Sequence, residues 1–348
     1  MAKKYIPKLG ISSTTRRGFP TDPPNTSSLD TAKQSHAPHG ETPLHGRERS
    51  FSSDDGAAHL GVWAKPHFFS LSGELVVSIR RSPTLWLGGT ILALLAFAAI
   101  FAPFLSTQDP TAIAPALRMR FPSGTHWFGT DSLGRDLYSR VLYGARVSLS
   151  VGLVVSILAT AIGVFGGLLS GLSRVTDLVI MRFVDGFMSI PSILLAIALV
   201  ALTGASIRNV IIAVTIAEAP RVVRLTRSVV LTAREEPYVE AGIACGTRAT
   251  MLLWRHILPN TIAPVLVQAT YIFANAMITE AALSFIGAGI PVETPSWGTI
   301  LSEGRTVWQL RPYIVFIPAA SLSLAVLAVN MIGDGLRDSL DPRLVRRL

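Results

Sequence analysis

The sequence predicts an all-α membrane protein, and two observations carry that expectation. Its 348 residues are 49% hydrophobic and only 15% charged, with a mean hydropathy of +0.46, where a soluble domain carries about 25% charged residues. The charge is also sorted along the chain. No Asp, Glu, Lys, Arg or His falls within 82–108, 147–173, 186–207, 257–279 or 312–333, and about 20 apolar residues suffice for a helix to cross a bilayer core.

Residues 1–75 come first and differ in kind. They are rich in Ser, Thr, Pro, Gly and His, with few large apolar residues before Val62 and Trp63. Such a stretch buries too little apolar surface to offset its ordering entropy and reads as a disordered N-terminal tail. The first apolar run begins near Leu85, too far along the chain for a secretory signal peptide.

Span one is expected over 85–105, ending at Ala102-Pro103. Span two, 147–171, places Gly163, Gly167 and Gly171 four apart on one helix face. Small residues at that spacing let backbones approach closely, within this chain or against another subunit. Span three, 183–203, carries Pro191, which can kink its helix. The fourth candidate, 207–224, is weaker: Asn209 to Ala217 is apolar, but Glu218, Pro220 and Arg221 follow. Hydropathy leaves it open, and with it the parity of the spans. Spans five and six are expected over 260–286 and 312–333, the latter with Pro318. Between them, Gly287 to Arg311 with Pro291, Pro295 and Trp297 reads as a surface turn with an interfacial tryptophan.

Net charge is +9. Arg80, Arg81, Arg174, Arg221, Arg224, Arg227, Arg234, Arg337, Arg343, Arg346 and Arg347 gather at one set of span ends, as the positive-inside rule requires. Arg118, Arg120, Arg135, Arg140 and Arg146 run against it in the expected outer loop 106–146. Arginines at membrane edges, not on one soluble face, argue against nucleic acid. Cys245 is the only cysteine, and His126 and His256 are the only histidines beyond residue 67. Neither a disulfide framework nor a metal site is legible.

A polar island, Glu235 to Gly246, interrupts this half of the chain. Pro237 suits a first helical turn, Glu235 and Glu236 put negative charge at the helix's positive end, and Gly246 can end it in a left-handed cap. Tyr238, Ala241, Gly242 and Cys245 then form one face, small apart from Tyr238. A short helix with such a face suits another protein's groove, whereas a helix lying on lipid would show several large apolar residues.

Two acids stand near apolar runs, Asp185 and Glu280. A carboxylate at the centre of a span costs about 2.5–3.5 kcal/mol and is a functional candidate by default. Asp185 reads as solvated or paired with Arg182; Glu280 stays open.

Glu240-Ala241-Gly242, Gly246 and His256-Ile257-Leu258-Pro259-Asn260 resemble the EAA loop of ABC-importer permeases, with Gly242 in place of the second alanine and His256 in place of an apolar residue. Three further stretches are similar to the dipeptide, oligopeptide and nickel branch: His126 to Arg146, Thr279 to Phe285, and Gly333 to Asp338 with Asp341 to Arg343. Ala102-Pro103 followed by Asp109-Pro110 looks like the C-type partner of the permease pair. The resemblance covers Ile79 to the C-terminus.

This resemblance implies six transmembrane helices in a bacterial cytoplasmic membrane, both termini cytoplasmic, with a coupling helix between spans four and five. Tyr238, Glu240, Ala241, Gly242, Cys245 and Gly246 are then the ATPase-docking residues. The implied partners are a second permease subunit, two ABC ATPase subunits and an extracytoplasmic solute-binding protein, with membrane lipid around them. ATP is bound by the ATPases, and this chain carries no cofactor and no enzyme activity. The P-loop supports that division: it needs a Gly-Lys pair, and no lysine here follows glycine or lies beyond Lys65. The implied function is ATP-driven import of peptides or a related small solute. An ion-driven carrier would favour paired intramembrane carboxylates and an inverted repeat, and a membrane enzyme a clustered nucleophile, acid–base pair or metal; none is legible.

Overall fold

The structure, a computed structural model, describes residues 82–171 and 173–340, all within a compact unit running from Pro66 to Leu348. The 1–75 tail, Arg80, Arg81 and the signals from Asp341 to Arg347 lie outside the described residues. Among those described, the elements are helical, and extended pairing is limited to one bridge between Thr130 and Asp136.

Helix α1 (Pro83–Ile100) opens on a proline in its first turn and buries only Gly88 and Ala99. Trp86, Leu94, Phe97 and Ile100 stand exposed, a surface that hydrocarbon, not water, solvates. Helix α2 (Leu137–Ser170) has 34 residues and is capped by Asp136, which accepts from Ser139 N–H at 2.9 Å. At 1.5 Å per residue it is about 51 Å long.

The run expected as span three is two helices. Helix α3 (Arg174–Met188) and helix α4 (Ser192–Thr203) meet at 86°. Pro191 stands at the break, extended at ψ 130°, and its missing N–H cannot continue the α3 ladder.

Helix α5 (Ile207–Arg234) is capped by Ser206 and runs ten residues past the expected end at 224, with Pro220 inside it. Its inner half lies against the glycine stripe of α2. A Cβ at Gly163, Gly167 or Gly171 would approach Val222, Thr226 or Val230 to 2.2–2.4 Å. The stripe is packing within this chain.

Helix α6 (Pro237–Ala244) follows. A helical rod then runs from Thr250 to Ile286 without a break; its main part is helix α7 (Leu258–Ile286). It is preceded by a wide π turn, Leu253–Ile257, where Leu258 N–H reaches back five residues to Leu253 O. Pro259 comes next, and its ring would crowd the carbonyl four residues earlier; widening the turn relieves that.

Helix α8 (Trp297–Gly304) is held by a capping box between Ser296 and Thr299. Helix α9 (Tyr313–Leu340) contains Pro318 without ending there. Trp297 corrects an expectation: it is 0% exposed, and its Nε1–H donates to Val141 O at 3.2 Å. The start of α8 folds into the core with Trp297, while Trp308, later in the segment after α7, stands 55% exposed.

Among the described residues, four helices are long and apolar enough to cross a membrane: α1, α2, the rod ending in α7, and α9. The bent α3–α4 pair makes a fifth if it counts as one span. Helix α5 does not qualify by composition, since Arg208, Glu218, Arg221, Arg224 and Arg227 break its apolar run. Helix α2 is the central post. Its Val151, Val155 and Ala159 share one core with Val214 and Val222 of α5 and Ile272 and Leu283 of α7. Its Leu137, Val141 and Leu149 share another with Met277, Trp297, Ile300 and Ile314.

Candidate functional site

Helix α6 hangs beyond α5, at the Gly171 end of α2, where Arg234 Nη1 donates to Gly171 O at 2.6 Å. Glu236 caps it in extended conformation, Pro237 takes the first turn and Glu240 lies in that turn. Its far end closes as the sequence expects. Gly246 has φ +76°; its N–H reaches Ile243 O at 2.9 Å, and Thr247 N–H reaches Gly242 O at 3.0 Å. That pair of bonds is a Schellman cap, whose left-handed residue glycine supplies without strain.

The helix is two-sided. Val239 is fully buried in a cluster with Val230, Ala233, Leu252, Leu253 and Ile257. Tyr238 is 42% exposed, and Glu240, Ala241, Ala244, Cys245 and Gly246 are exposed with it. Gly242 sits at the margin, because a Cβ there would come within 2.7 Å of Leu252 Cδ1. The face expected at 238, 241, 242 and 245 is therefore present and open, with Gly242 at its edge. The Tyr238 hydroxyl accepts from Asn260 Nδ2 at 2.7 Å, which ties the face to the start of α7. A cleft of about 440 Å3 opens beside it, between Ser228, Thr232, Glu236 and Asn260. Small side chains, Tyr238, the 56% exposed Ile243 and three exposed carboxylates (Glu235, Glu236, Glu240) offer a surface for binding.

Away from α6 the structure brings together polar groups that sequence reasoning did not join. Glu280 is fully buried on α7 and accepts three hydroxyls: Ser148 of α2 at 3.1 Å, Ser284 at 2.9 Å and Ser296 at 2.9 Å. Ser148 Oγ accepts from Trp297 N–H at 3.2 Å. Glu280 is thus a pin through α2, α7 and the start of α8. Asp185 accepts from Arg224 at 2.6 Å and not from Arg182; both partners are exposed, so the pair adds little stability. Glu218 of α5, fully buried, accepts from Arg221 at 3.1 Å and from Asn275 of α7 at 2.8 Å.

Near the opposite end of α2, Asp131 accepts from Arg135 at 2.7 Å and Arg140 at 3.0 Å, and both arginines also pair with Glu303 of α8. Their side chains are 6% and 1% exposed. Burial, aided by the Asp131 charge and opposed by Arg135, pushes the Glu303 carboxyl up to about 7. Sequence reasoning did not pair Asp131 with Arg135, and Glu303 lies 168 residues from Arg135.

Residues 159–346, more than half of the chain, match the family described as binding-protein-dependent transport system inner membrane component. Residues 70–122 match the N-terminal transmembrane domain of oligopeptide transport permease C. The chain is 50% identical over 268 residues to a probable peptide ABC transporter permease protein of Sinorhizobium fredii, covering 77% of this chain and 92% of that one. It is 42% identical to a dipeptide transport system permease protein of Alkalihalophilus pseudofirmus, over 78% and 90% of the two chains. To an oligopeptide transport system permease protein of Bacillus subtilis it is 36% identical, over 79% and 90%. Among solved structures, the MetNI methionine ABC transporter aligns at a TM-score of 0.48 and 19% identity over 60% of this chain and 95% of that one, too distant to carry an argument.

Proposed function

The chain belongs to the family of binding-protein-dependent transport system inner-membrane components, and from that premise we propose that it is the membrane-spanning permease subunit of an ATP-driven importer of peptides. The relatives named for peptide, dipeptide and oligopeptide transport support that solute class. In this reading the permease domain is 76–348, with residues 1–75 a cytoplasmic tail, and six spans cross a bacterial cytoplasmic membrane. They are α1, α2, the α3–α4 pair, α5, the rod ending in α7, and α9. Helix α5 counts as the fourth because its charges from Glu218 to Arg227 are matched: Asp185 and Asp177 of α3 neutralise Arg224 and Arg227, and Glu218 is matched by Arg221 and Asn275. Charged groups inside a span need such partners, or a water-filled path.

Helix α6 is the coupling helix, and Tyr238, Glu240, Ala241, Gly242, Cys245 and Gly246 dock the ATPase. One observation carries this reading. A short helix has one side fixed in the core by Val239 and the other open, and it leads directly into the rod that ends beside Glu280. Two ATPases, a second permease and an extracytoplasmic binding protein complete the assembly, and ATP stays on the ATPases. Closure of the ATPases moves α6. Because Val239 binds α6 to Leu252, Leu253 and Ile257, the motion passes to the rod, and the packed helices swing between two arrangements.

Purification of the tagged protein from mild detergent tests this. Recovery of a second permease and two P-loop ATPases, reduced by Gly246→Leu, is the expected result. A homogeneous protein that never brings down an ATPase would overturn it.

A further inference from the structure

Five arginines between residues 106 and 146 run against the positive-inside pattern. Arg135 and Arg140 are accounted for by burial against Asp131 and Glu303. Arg118 and Arg120 are not. They are exposed, and with Arg311 they converge on one cavity of about 820 Å3 whose wall includes Phe121, Pro122 and His126. Among the described residues, no carboxylate lies within 4.0 Å of these three arginines, whereas His126 is matched by Asp136 at 2.9 Å.

The cavity is built, not incidental. Arg118 donates its Nε–H to Ser132 O at 2.6 Å, and Arg311 donates its Nε–H to Met119 O at 2.9 Å. Arg118 is anchored by its inner nitrogen, which leaves its terminal N–H pair for a planar acceptor; Arg311 also donates Nη1 to Leu310 O at 3.4 Å and Arg120 donates Nη2 to Ala116 O at 3.5 Å, each leaving its other terminal nitrogen toward the cavity. A carboxylate matches that fork with two parallel bonds. Arg311 also stacks on Phe121, 3.9 Å from the ring centroid. The chain beneath is tied down: Arg120 N–H donates to Thr130 Oγ1 at 2.8 Å, and the Tyr313 hydroxyl donates to Arg120 O at 2.7 Å. Met119, between the two loop arginines, is held at φ +51°, a conformation a side-chain-bearing residue adopts only where its surroundings impose it.

Position gives the partner. The cavity belongs to the loop that leads into the Leu137 end of α2, and α6 is tied to the Gly171 end through Arg234, about 51 Å away along the helix. With α6 facing cytoplasmic ATPases, the cavity faces the other side. We propose that it receives an acidic side-chain cluster of the extracytoplasmic binding protein, whose carboxylates pair with Arg118, Arg120 and Arg311. The proposal rests on the reading of the chain as a binding-protein-dependent permease. A free solute with a single carboxylate is a poorer match, since small-ligand sites bury most of their ligand and these arginines are displayed on an open rim. Unpaired cations at a rim steer a large, oppositely charged partner.

The test uses the whole assembly in nanodiscs, following ATP hydrolysis against binding-protein concentration. Charge reversal by R118E with R120E is expected to raise the half-maximal concentration at least about tenfold, and reversing acidic residues of the binding protein to arginine should bring it back. A half-maximal concentration that does not move, or a loss that no charge swap repairs, overturns the docking site. A photo-crosslinking residue at Thr125, on the cavity wall, separates the two ways of failing. If no binding protein stimulates the wild-type assembly, the importer reading itself falls. If stimulation is intact but Thr125 captures only lipid, or nothing, the docking site alone falls.

Discussion

The Glu303 carboxyl holds its proton to about pH 7, against an ordinary value of 4.5, because burial outweighs the pull of Arg135. The unfolded chain releases that proton near 4.5. Stability from Glu303 is therefore fully present below that value, declines as pH rises toward 7, and is flat above. Thermal melting followed by tryptophan fluorescence should fall between pH 5 and 7 in the wild type and change less in Glu303→Gln. Parallel profiles would remove Glu303 as the cause. Glu280 poses a different case, since its partners are three hydroxyls and no cation. Glu280→Leu strips Ser148, Ser284 and Ser296 of their acceptor, at about 1–3 kcal/mol for each buried group left unmatched, and should lower the melting midpoint by on the order of 10 °C. Glu280→Gln keeps one acceptor oxygen and should lose less. Sequence alone left Glu280 open and gave Glu303 no role. Hydropathy marks a carboxylate as costly, but it cannot see partners far along the chain: Ser148 is 132 residues from Glu280, and Glu303 is 168 from Arg135.

Elements read more easily than their partners. The four-residue spacing of Gly163, Gly167 and Gly171 marks one helix face, and the face proves to be where α5 meets α2. Gly163→Ala with Gly167→Ala should cost yield and melting temperature, because each Cβ lands within 2.4 Å of an α5 side chain and overpacking costs about 1–3 kcal/mol. Gly186→Ala, on an open side of α3 with nothing within 4 Å, is the matched control and should be neutral or slightly stabilising. The local signals of α6 were complete in sequence, since Pro237 and Gly246 act through backbone geometry that the residue type dictates. The end of α5 was not legible, because a hydropathy window counts Arg224 and Arg227 as charges and cannot see Asp185 and Asp177 beside them. Trp297 misled for a similar reason: a tryptophan beside prolines fits an interface as well as a core, and only the Val141 carbonyl distinguishes them.

Over the whole molecule, α2 separates two ends of different chemical character. One carries α6 with its exposed small-residue face; the other carries the Asp131–Glu303 ion cluster and the arginine-lined cavity. The first end is where we propose that an ATPase bears on the chain, and Cys245 gives direct access to it. It is the only cysteine in the sequence and it stands exposed beyond the last turn of α6. The most direct measurement attaches a benzophenone-maleimide to Cys245 in the assembled native membrane, illuminates it, and identifies the adduct by mass spectrometry, with Cys245→Ser as the blank. An adduct with a P-loop ATPase, its yield changing when ATP is added, is the predicted result. Adducts confined to lipid, the same with and without ATP, would contradict the account.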